Sequence, residues 1–273
     1  MTTYNKTKIE FLPEGTFGLE KLGKLPVAKI SLFKEQAIKV SPLAKHVLNR
    51  ATSREMYSNV IISIKAWENI SKLIGPSFGE IELITNAERV KTTNSILADG
   101  MEVETATFKA HEESRMWFRE NDEQIALKRD GINLPGVGIK GLKKWIAEWQ
   151  LSGLKTEVWH DKKSNEYALK EHRERVEKSP NIITLKTTNN KQLDWLRCGC
   201  DYAKLQLACS LSGFYMQPLS QVLQEYTEMN ALAKKFENIM NIQNNEKVQM
   251  ALRVGKSKTP YLTYRRKLED IIV

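Results

Sequence analysis

Apolar and polar positions alternate most regularly between residues 181 and 212. Residues 181–187 are rich in β-branched side chains, which predicts a short strand. The apolar positions that follow are spaced three and four apart, which predicts a helix over residues 190–212. These positions are Leu193, Leu196, Cys200, Ala203, Leu207 and Leu211. We expect a buried helix in which Cys200 and Leu207 are almost inaccessible to solvent.

A glycine and a proline shape the segment after this helix. Gly213 is typical of a helix C-terminus, and Pro218 cannot continue a helix because it has no amide hydrogen. Large side chains occupy most of residues 214–219. A flat aromatic ligand or cofactor could lie against this extended segment.

Weaker patterns predict further strands and helices. Strand-like alternation recurs at residues 8–12, 27–33 and 248–255. The two N-terminal segments resemble the middle of a sheet, because isolated strands need partners. The sequence favours helix from residue 80 to about residue 129, and again over residues 162–178.

Two arginines precede another amphipathic helix. Arg50 and Arg54 flank hydroxyl side chains at Thr52 and Ser53. Guanidinium forks and hydroxyl donors suit the oxygens of a phosphate monoester, although a helix cap with two solvated arginines explains the same pattern. One face of the helix that follows carries Val60, Ile64, Trp67 and Ile74.

Three further segments could bind a ligand, close a site or contact a partner. Residues 130–141 contain four glycines but lack both the Gly-x-Gly-x-x-Gly and the Gly-Lys-Ser/Thr pattern, so a lid or connector is favoured over a phosphate cradle. Trp145 and Trp149 share a helix face and indicate core or partner packing. Residues 265–267 are three consecutive cations, which could complete an anion site or form a solvated turn.

Composition bounds the size and the charge of the protein. The chain has 273 residues and 41% hydrophobic content, which suits one large domain or two small ones with a proper core. The formal net charge of +9 makes an anionic partner worth considering. Because positive and negative residues are intermixed, as in residues 162–178, we favour a solvated surface and expect no nucleic-acid partner.

Cysteines and histidines provide no pattern typical of a metal site. Cys198, Cys200 and Cys209 lack paired spacing and indicate core thiols in a reducing compartment. The four histidines are far apart in sequence, and we expect His111 and His172 to form ordinary surface pairs. No run of 18 apolar residues occurs, so we expect a soluble cytoplasmic protein with no membrane partner. Catalytic residues stay unassigned, and any chemistry would come from a bound cofactor.

Three segments, in this order, resemble the nitroreductase superfamily of flavoproteins. Residues 50–54 are similar to that family's Arg-x-Ser/Thr-x-Arg phosphate motif. The helix ending at Gly213 and residues 217–219 are similar to the segment that passes the isoalloxazine ring. Residues 252–255 and 265–270 resemble the closing strand and the C-terminal basic motif. The resemblance covers most of the chain and is strongest to the Acg-like branch, in which one chain carries two nitroreductase-like halves around one FMN.

The resemblance implies a nitroreductase-like α+β fold, with a central, mostly antiparallel sheet flanked by helices and with FMN as cofactor. It implies that the FMN phosphate is held by Arg50, Thr52, Arg54 and Arg265. It also implies that the flavin ring is flanked by Gly213, Met216, Gln217, Pro218 and Leu219. On the same basis, Arg253 could reach the flavin or a neighbouring carboxylate.

The beginning of the chain departs from the family pattern. Acg-like chains begin with a helix and a Pro-Trp-containing stretch, and this sequence has no such motif. Residues 1–45 are therefore interpreted as remnant strands of a first nitroreductase-like half, and residues 46–273 as the nitroreductase-like domain. We expect a homo-oligomer, or a partner chain that supplies the missing part.

Three functions are compatible with these patterns. The first is an FMN-dependent oxidoreductase that reduces nitro compounds or quinones with a reduced nicotinamide donor. The second is a non-catalytic FMN-binding or FMN-sequestering protein of the Acg-like type, with residues 130–141 as its lid. The third is a degenerate scaffold that binds no cofactor.

Overall fold

The structure is a computed structural model that describes residues 5–12, 25–34 and 40–272. Its strands, in chain order, are β1 (Asn5–Phe11), β2 (Ala28–Lys34), β3 (Glu80–Ile84), β4 (Phe118–Arg119), β5 (Ile132–Asn133), β6 (Asn181–Thr187), β7 (Tyr215–Pro218) and β8 (Lys247–Gly255). Its helices are α1 (Ile64–Ile74), α2 (Ala87–Ala106), α3 (Phe108–Met116), α4 (Asp122–Lys128), α5 (Leu142–Gln150), α6 (Thr156–Trp159), α7 (Lys162–Glu177), α8 (Gln192–Leu211) and α9 (Asn230–Ile239).

A four-stranded antiparallel sheet forms the centre of the protein, in the order β3-β6-β8-β7. The predicted strands at β6 and β8 are confirmed. β6 has a hydrogen-bonded neighbour on each side, and its consecutive residues Ile182 and Ile183 are both fully buried. Adjacent residues of a strand point to opposite faces, so both faces of the sheet are covered.

Helices pack on both faces of this sheet and divide the core into two layers. On one face, Leu97 of α2 and Phe236 of α9 belong to the same apolar cluster as Ile182. On the other face, Ile70 of α1 and Leu205 of α8 cluster with apolar residues of β6 and β8. The architecture is therefore an α+β fold in which helices flank an antiparallel sheet, as expected from the resemblance.

The predicted helix at α8 exists, but a different face of it is buried. Cys200 and Leu207 are only half-buried, so the expectation of near-complete burial is wrong. One buried position holds Asp201, whose Oδ2 accepts hydrogen bonds from the backbone amides of Phe78 and Gly79 at 2.8 and 3.0 Å. The buried side chains are Cys198, Asp201, Leu205, Gln206, Ala208 and Cys209. Because the buried face of α8 includes polar residues, the spacing of apolar residues alone does not identify it.

The segment 80–84 is a strand rather than the beginning of a helix. It pairs with β6 along its whole length, for example Leu83 with Ile183. The following helix starts after Asn86, whose Oδ1 accepts a hydrogen bond from the Arg89 amide at 3.0 Å. Alternating Glu and Ile or Leu are compatible with helix locally, but pairing with a buried strand decides the outcome.

The helix that follows the arginine pair begins later than its apolar pattern suggested. Ser63 caps it, since its Oγ accepts a hydrogen bond from the Ala66 amide at 3.3 Å. Val60 therefore lies outside α1, and Ile64 is 81% exposed, so neither belongs to the buried face as expected. Ile70 is fully buried in their place.

An insertion of mostly short elements, α3 to α6 with β4 and β5, separates α2 from α7. Trp145 and Trp149 share one face of α5, as predicted, but they are 66% and 74% exposed and do not contribute to the core. Within the described residues, β4 and β5 form a short parallel pair of their own.

The N-terminal strands β1 and β2 pair with each other in a separate antiparallel hairpin, with Phe11 opposite Ala28. Apolar side chains of β2 are exposed, including Ile30 at 62% and Leu32 at 63%. Both predicted strands are confirmed, and their interpretation as part of a first half stays a prediction.

Candidate flavin-phosphate site

Three segments that are far apart in sequence meet beside β7. Thr52 forms an isolated parallel bridge with Met216, and the Ser53 amide donates a hydrogen bond to the Met216 carbonyl at 3.2 Å. Nη2 of Arg265 donates to the Arg50 carbonyl at 3.1 Å. The arginine pair, the segment after α8 and the basic C-terminal segment therefore lie side by side.

The arginines at this junction carry charge that no neighbouring carboxylate balances. Among the described residues, no carboxylate oxygen lies within the 4.0 Å ion-pair distance of Arg50, Arg54 or Arg265. Burial lowers the pKa of Arg54, and burial together with the charge of Arg50 lowers the pKa of Arg265. Burial raises the pKa of nearby Tyr202, against the opposing effect of Arg50 and Arg54, so this neighbour is a neutral phenol. The result is an excess of positive charge suited to an anion.

Gly213 ends α8 through paired backbone hydrogen bonds. The Gly213 amide donates to the Ser210 carbonyl at 3.1 Å, and the Phe214 amide donates to the Cys209 carbonyl at 2.9 Å. The φ angle of Gly213 is 75°, in the left-handed region that favours glycine at this position. The predicted helix end is thus confirmed, and the chain turns directly into β7.

The side chains after this turn differ in their access to a ligand. Met216 and Leu219 are each 1% exposed and belong to the two core layers on opposite faces of the sheet. Gly213 is exposed and Pro218 is half-buried. Met216 and Leu219 therefore support the segment from inside, while Gly213 and Pro218 lie nearer its surface.

Arg253 lies inside the protein and links the elements of the site to one another. It is fully buried, and its Nε donates to Gln217 Oε1 at 2.7 Å. Its terminal nitrogens donate to the carbonyls of Glu55 at 2.9 Å and Arg175 at 3.1 Å. Burial lowers the pKa of Arg253 to about 10. Its described hydrogen bonds go to an amide, to a hydroxyl and to backbone carbonyls rather than to a carboxylate, so it holds Gln217 and the arginine segment in place.

Tyr57 packs against both Arg253 and the end of β8. Its ring lies 4.2 Å from the guanidinium carbon of Arg253, and its hydroxyl donates to the Ser53 carbonyl at 2.9 Å. Burial raises the pKa of Tyr57 to about 12. A Cβ atom at Gly255 would lie 2.8 Å from three atoms of Tyr57, so glycine permits this close approach.

The insertion reaches the same region through its glycine-containing loop and the residues before it. Lys140 Nζ lies 2.9 Å from Glu55 Oε1. Arg129 Nε donates to the Arg265 carbonyl at 2.7 Å. A polar cleft of about 180 Å³ lies between this loop and the C-terminal segment, and its walls include Arg129, Asp130, Asn133, Tyr264 and Arg265. The insertion thus borders the cationic junction.

Two histidines expected on the surface are buried. His111 lies in the insertion, with its Nδ1 3.4 Å from His160 Nδ1, and His160 Nε2 is 3.2 Å from Glu112 Oε2. Burial, assisted by His160, lowers the pKa of His111 to about 4. His172 of α7 is also buried, and burial with the charge of Arg175 lowers its pKa to about 4. The expectation of ordinary surface pairs is wrong for both.

The described part of the chain contains no group of three or more His, Cys, Asp or Glu side chains arranged to hold a metal ion. None of the helices described here combines the length and apolar character needed to cross a membrane. Cys198, Cys200 and Cys209 are all free thiols.

Sequence reasoning missed Gln206 as a residue of this site. Gln206 is 3% exposed, and its Oε1 accepts a hydrogen bond from Arg50 Nη1 at 2.8 Å. Its only sequence signal is a polar residue between apolar neighbours, Leu205 and Leu207, in a helix otherwise expected to be buried. A buried polar group requires a partner, and that requirement points to Arg50 or to a ligand.

Comparison with known proteins assigns the fold. No protein-family model and no curated sequence matches the chain. Among solved structures, the FMN- and NADPH-dependent nitroreductase NfnB from Sphigopyxis sp. strain HMH is similar, with a TM-score of 0.52 and 13% identity over 85% of this chain and 97% of that chain. For the nitroreductase-like family protein from Bacillus cereus the TM-score is 0.46 and the identity 11%, with 87% of this chain and 97% of that chain covered. For the FMN-bound nitroreductase from Bacteroides fragilis NCTC 9343 the TM-score is 0.45 and the identity 12%, with 86% of this chain and 98% of that chain covered. The TM-score above 0.5 shows that this chain has a nitroreductase-like fold.

Proposed function

We propose that the protein is an FMN-dependent oxidoreductase of the nitroreductase type, which reduces nitro compounds or quinones with a reduced nicotinamide donor. The observation that carries this proposal is the junction of Arg50 and Arg265, in which Arg265 Nη2 donates to the backbone carbonyl of Arg50 and neither guanidinium has a carboxylate partner among the described residues. A dianionic phosphate would balance this charge through charge-assisted hydrogen bonds. The nitroreductase-like fold supports flavin as the group that carries the phosphate.

The residues present fit the two ends of FMN. Arg50, Thr52, Arg54 and Arg265 would hold the phosphate, because their segments meet at one junction. Gly213 and Pro218 would flank the flavin ring at the surface, with Met216 and Leu219 packed beneath them. Gln217 would lie near the ring edge, held in place by Arg253. FMN, when bound, supplies the hydride chemistry, while these side chains bind and orient it.

A second candidate is a protein of the Acg-like branch that binds FMN without turnover. The insertion favours it, because Lys140 pairs with Glu55 beside Arg54, and Arg129 donates to the Arg265 carbonyl. Residues 130–141 would then cover the cofactor and exclude electron donors. Flavin binding without oxidation of reduced nicotinamide would identify this candidate.

We also propose that the protein acts in the cytoplasm as a homo-oligomer or with a partner chain. Three free thiols are typical of a reducing compartment. The hairpin formed by β1 and β2 exposes Ile30 and Leu32, and an isolated hairpin is at best marginally stable. A second chain packed against it would supply the missing burial. Sedimentation of the full chain at micromolar concentration should therefore give a species larger than the monomer.

The deciding experiment is an absorbance spectrum of the purified full chain, before and after incubation with FMN and removal of free flavin. The proposal expects the flavin bands to stay with the protein. Oxidation of reduced nicotinamide on addition of a nitro compound or a quinone then separates the oxidoreductase from the FMN-sequestering protein. A colourless chain that retains no FMN would instead support a scaffold without cofactor.

A further inference from the structure

Arg50 is oriented by a neutral side chain. Its Nη1 donates to Gln206 Oε1 at 2.8 Å, and Gln206 is a buried residue in the C-terminal half of α8. Several other arginines of this chain pair with carboxylates, such as Arg119 with Asp130 at 2.7 Å. An amide oxygen accepts the hydrogen bond of Arg50 but does not cancel its positive charge.

The orientation of the Gln206 amide follows from the chemistry of its partner. A guanidinium has donors and no acceptor, so the amide oxygen of Gln206 must face Arg50 and the amide nitrogen must point away. That nitrogen is fully buried and has no hydrogen-bond partner in the described structure. A buried donor without an acceptor destabilises the folded state. A glutamate at this position would form an ion pair with Arg50 and cancel its charge, whereas the glutamine of this chain leaves that charge intact.

We infer that Gln206 is a positioning residue that fixes the guanidinium of Arg50 towards a ligand phosphate while leaving its charge available. This inference rests on the proposed function, and it assigns to Gln206 the preference for the phosphorylated flavin, FMN, over riboflavin. The arrangement extends to Arg265, because the carbonyl of the fixed Arg50 accepts a hydrogen bond from Arg265 Nη2. The unpaired amide nitrogen of Gln206 lowers the stability of the fold, while the positive charge of Arg50 remains available at the site.

The test compares FMN with riboflavin, because these ligands differ only in the phosphate. The full chain, freed of flavin, is titrated with FMN, riboflavin and inorganic phosphate as wild type, Gln206→Glu and Gln206→Leu. Gln206→Glu should weaken FMN and phosphate binding by about tenfold to a hundredfold and leave riboflavin binding unchanged. Gln206→Leu keeps the charge of Arg50 but not its orientation, so it should weaken FMN binding by a smaller factor, again without affecting riboflavin.

A matched control is Gln192→Glu, which makes the same chemical change at the first turn of α8. That position is about 20 Å along the helix from Gln206, so FMN affinity should equal that of the wild type. If the wild type binds FMN and both Gln206 variants bind it equally well, the inference about Gln206 is overturned and the proposed function stands. Equal losses of FMN and riboflavin binding would also overturn it, since they indicate a purely structural role. A wild-type protein that binds neither flavin would refute the proposed function itself.

Discussion

Replacing Gly255 by alanine tests the packing that holds the arginine segment in place. The new Cβ would lie 2.8 Å from three carbon atoms of Tyr57, compared with a normal carbon contact of about 3.5 to 4 Å. Tyr57 must therefore move by about 1 Å, although it is only 4% exposed. This movement disturbs the 2.9 Å hydrogen bond from its hydroxyl to the Ser53 carbonyl and its 4.2 Å contact with Arg253.

The expected loss combines overpacking with a weakened hydrogen bond. Overpacking of a well-packed core costs about 1 to 3 kcal/mol, and a buried hydrogen bond contributes about 0.5 to 1.5 kcal/mol. Gly255→Ala should therefore reduce the free energy of unfolding by about 2 to 4 kcal/mol. The assay is urea denaturation of the full chain, followed by tryptophan fluorescence.

Gly199→Ala is the matched control, since Gly199 is exposed within α8 and its added Cβ meets no atom within 4 Å. Alanine is the better helix former, so this change should increase the free energy of unfolding by about 0.5 to 1 kcal/mol. The two glycine-to-alanine substitutions should thus change the free energy of unfolding in opposite directions. A Gly255→Ala protein within about 0.5 kcal/mol of the wild type would refute the close packing of Tyr57 on β8.

Three further predictions concern buried groups. Burial lowers the pKa of both His111 and His172 to about 4, so the unfolded chain takes up protons at a higher pH than the folded protein does. The free energy of unfolding should therefore fall as pH drops from about 6.5 to 4, by up to about 1.4 kcal/mol per pH unit for each histidine. Equal free energies of unfolding at pH 7 and pH 5 would contradict this. Arg253→Met leaves several buried acceptors unpaired and should cost more than about 3 kcal/mol in urea denaturation, whereas a loss below about 1 kcal/mol would rule out the linking role. Leu205→Ala should reduce the free energy of unfolding by about 2 to 5 kcal/mol, and Leu207→Ala should reduce it by less than half as much. The reverse ranking would indicate that the buried face of α8 is the one expected from the sequence.

The sequence predicted those elements whose local pattern agrees with their final environment. β6 and β8 are rich in β-branched or alternating residues, and α8 stops two residues before Gly213, whose left-handed φ angle favours glycine. β3 was missed because alternating glutamate and aliphatic residues fit a helix as well as an edge strand. The inner face of α8 was misjudged because Asp201 and Gln206 are buried through specific hydrogen bonds, which hydrophobic spacing does not register.

The candidate site could be predicted only in part. The arginine pair and the segment after α8 stand out locally, and the resemblance to nitroreductases links them to the C-terminal cations. The contact between Arg50 and Arg265 joins residues 215 positions apart, so no local pattern contains it. The burial of Arg253 and the unpaired amide of Gln206 likewise depend on the packed interior.

The most direct test of the account is the FMN affinity of the flavin-free full chain with and without the charge at Arg265. Arg265→Ala should weaken FMN binding by about tenfold to a hundredfold, because it removes one charge-assisted contact with the phosphate. The control is Lys267→Ala, which removes an equal charge two residues away at a side chain 3.8 Å from Glu269, and should leave the affinity nearly unchanged. Equal FMN affinities for the wild type and Arg265→Ala, or a wild-type chain that does not bind FMN, would contradict the proposal that this arginine junction is a flavin-phosphate site.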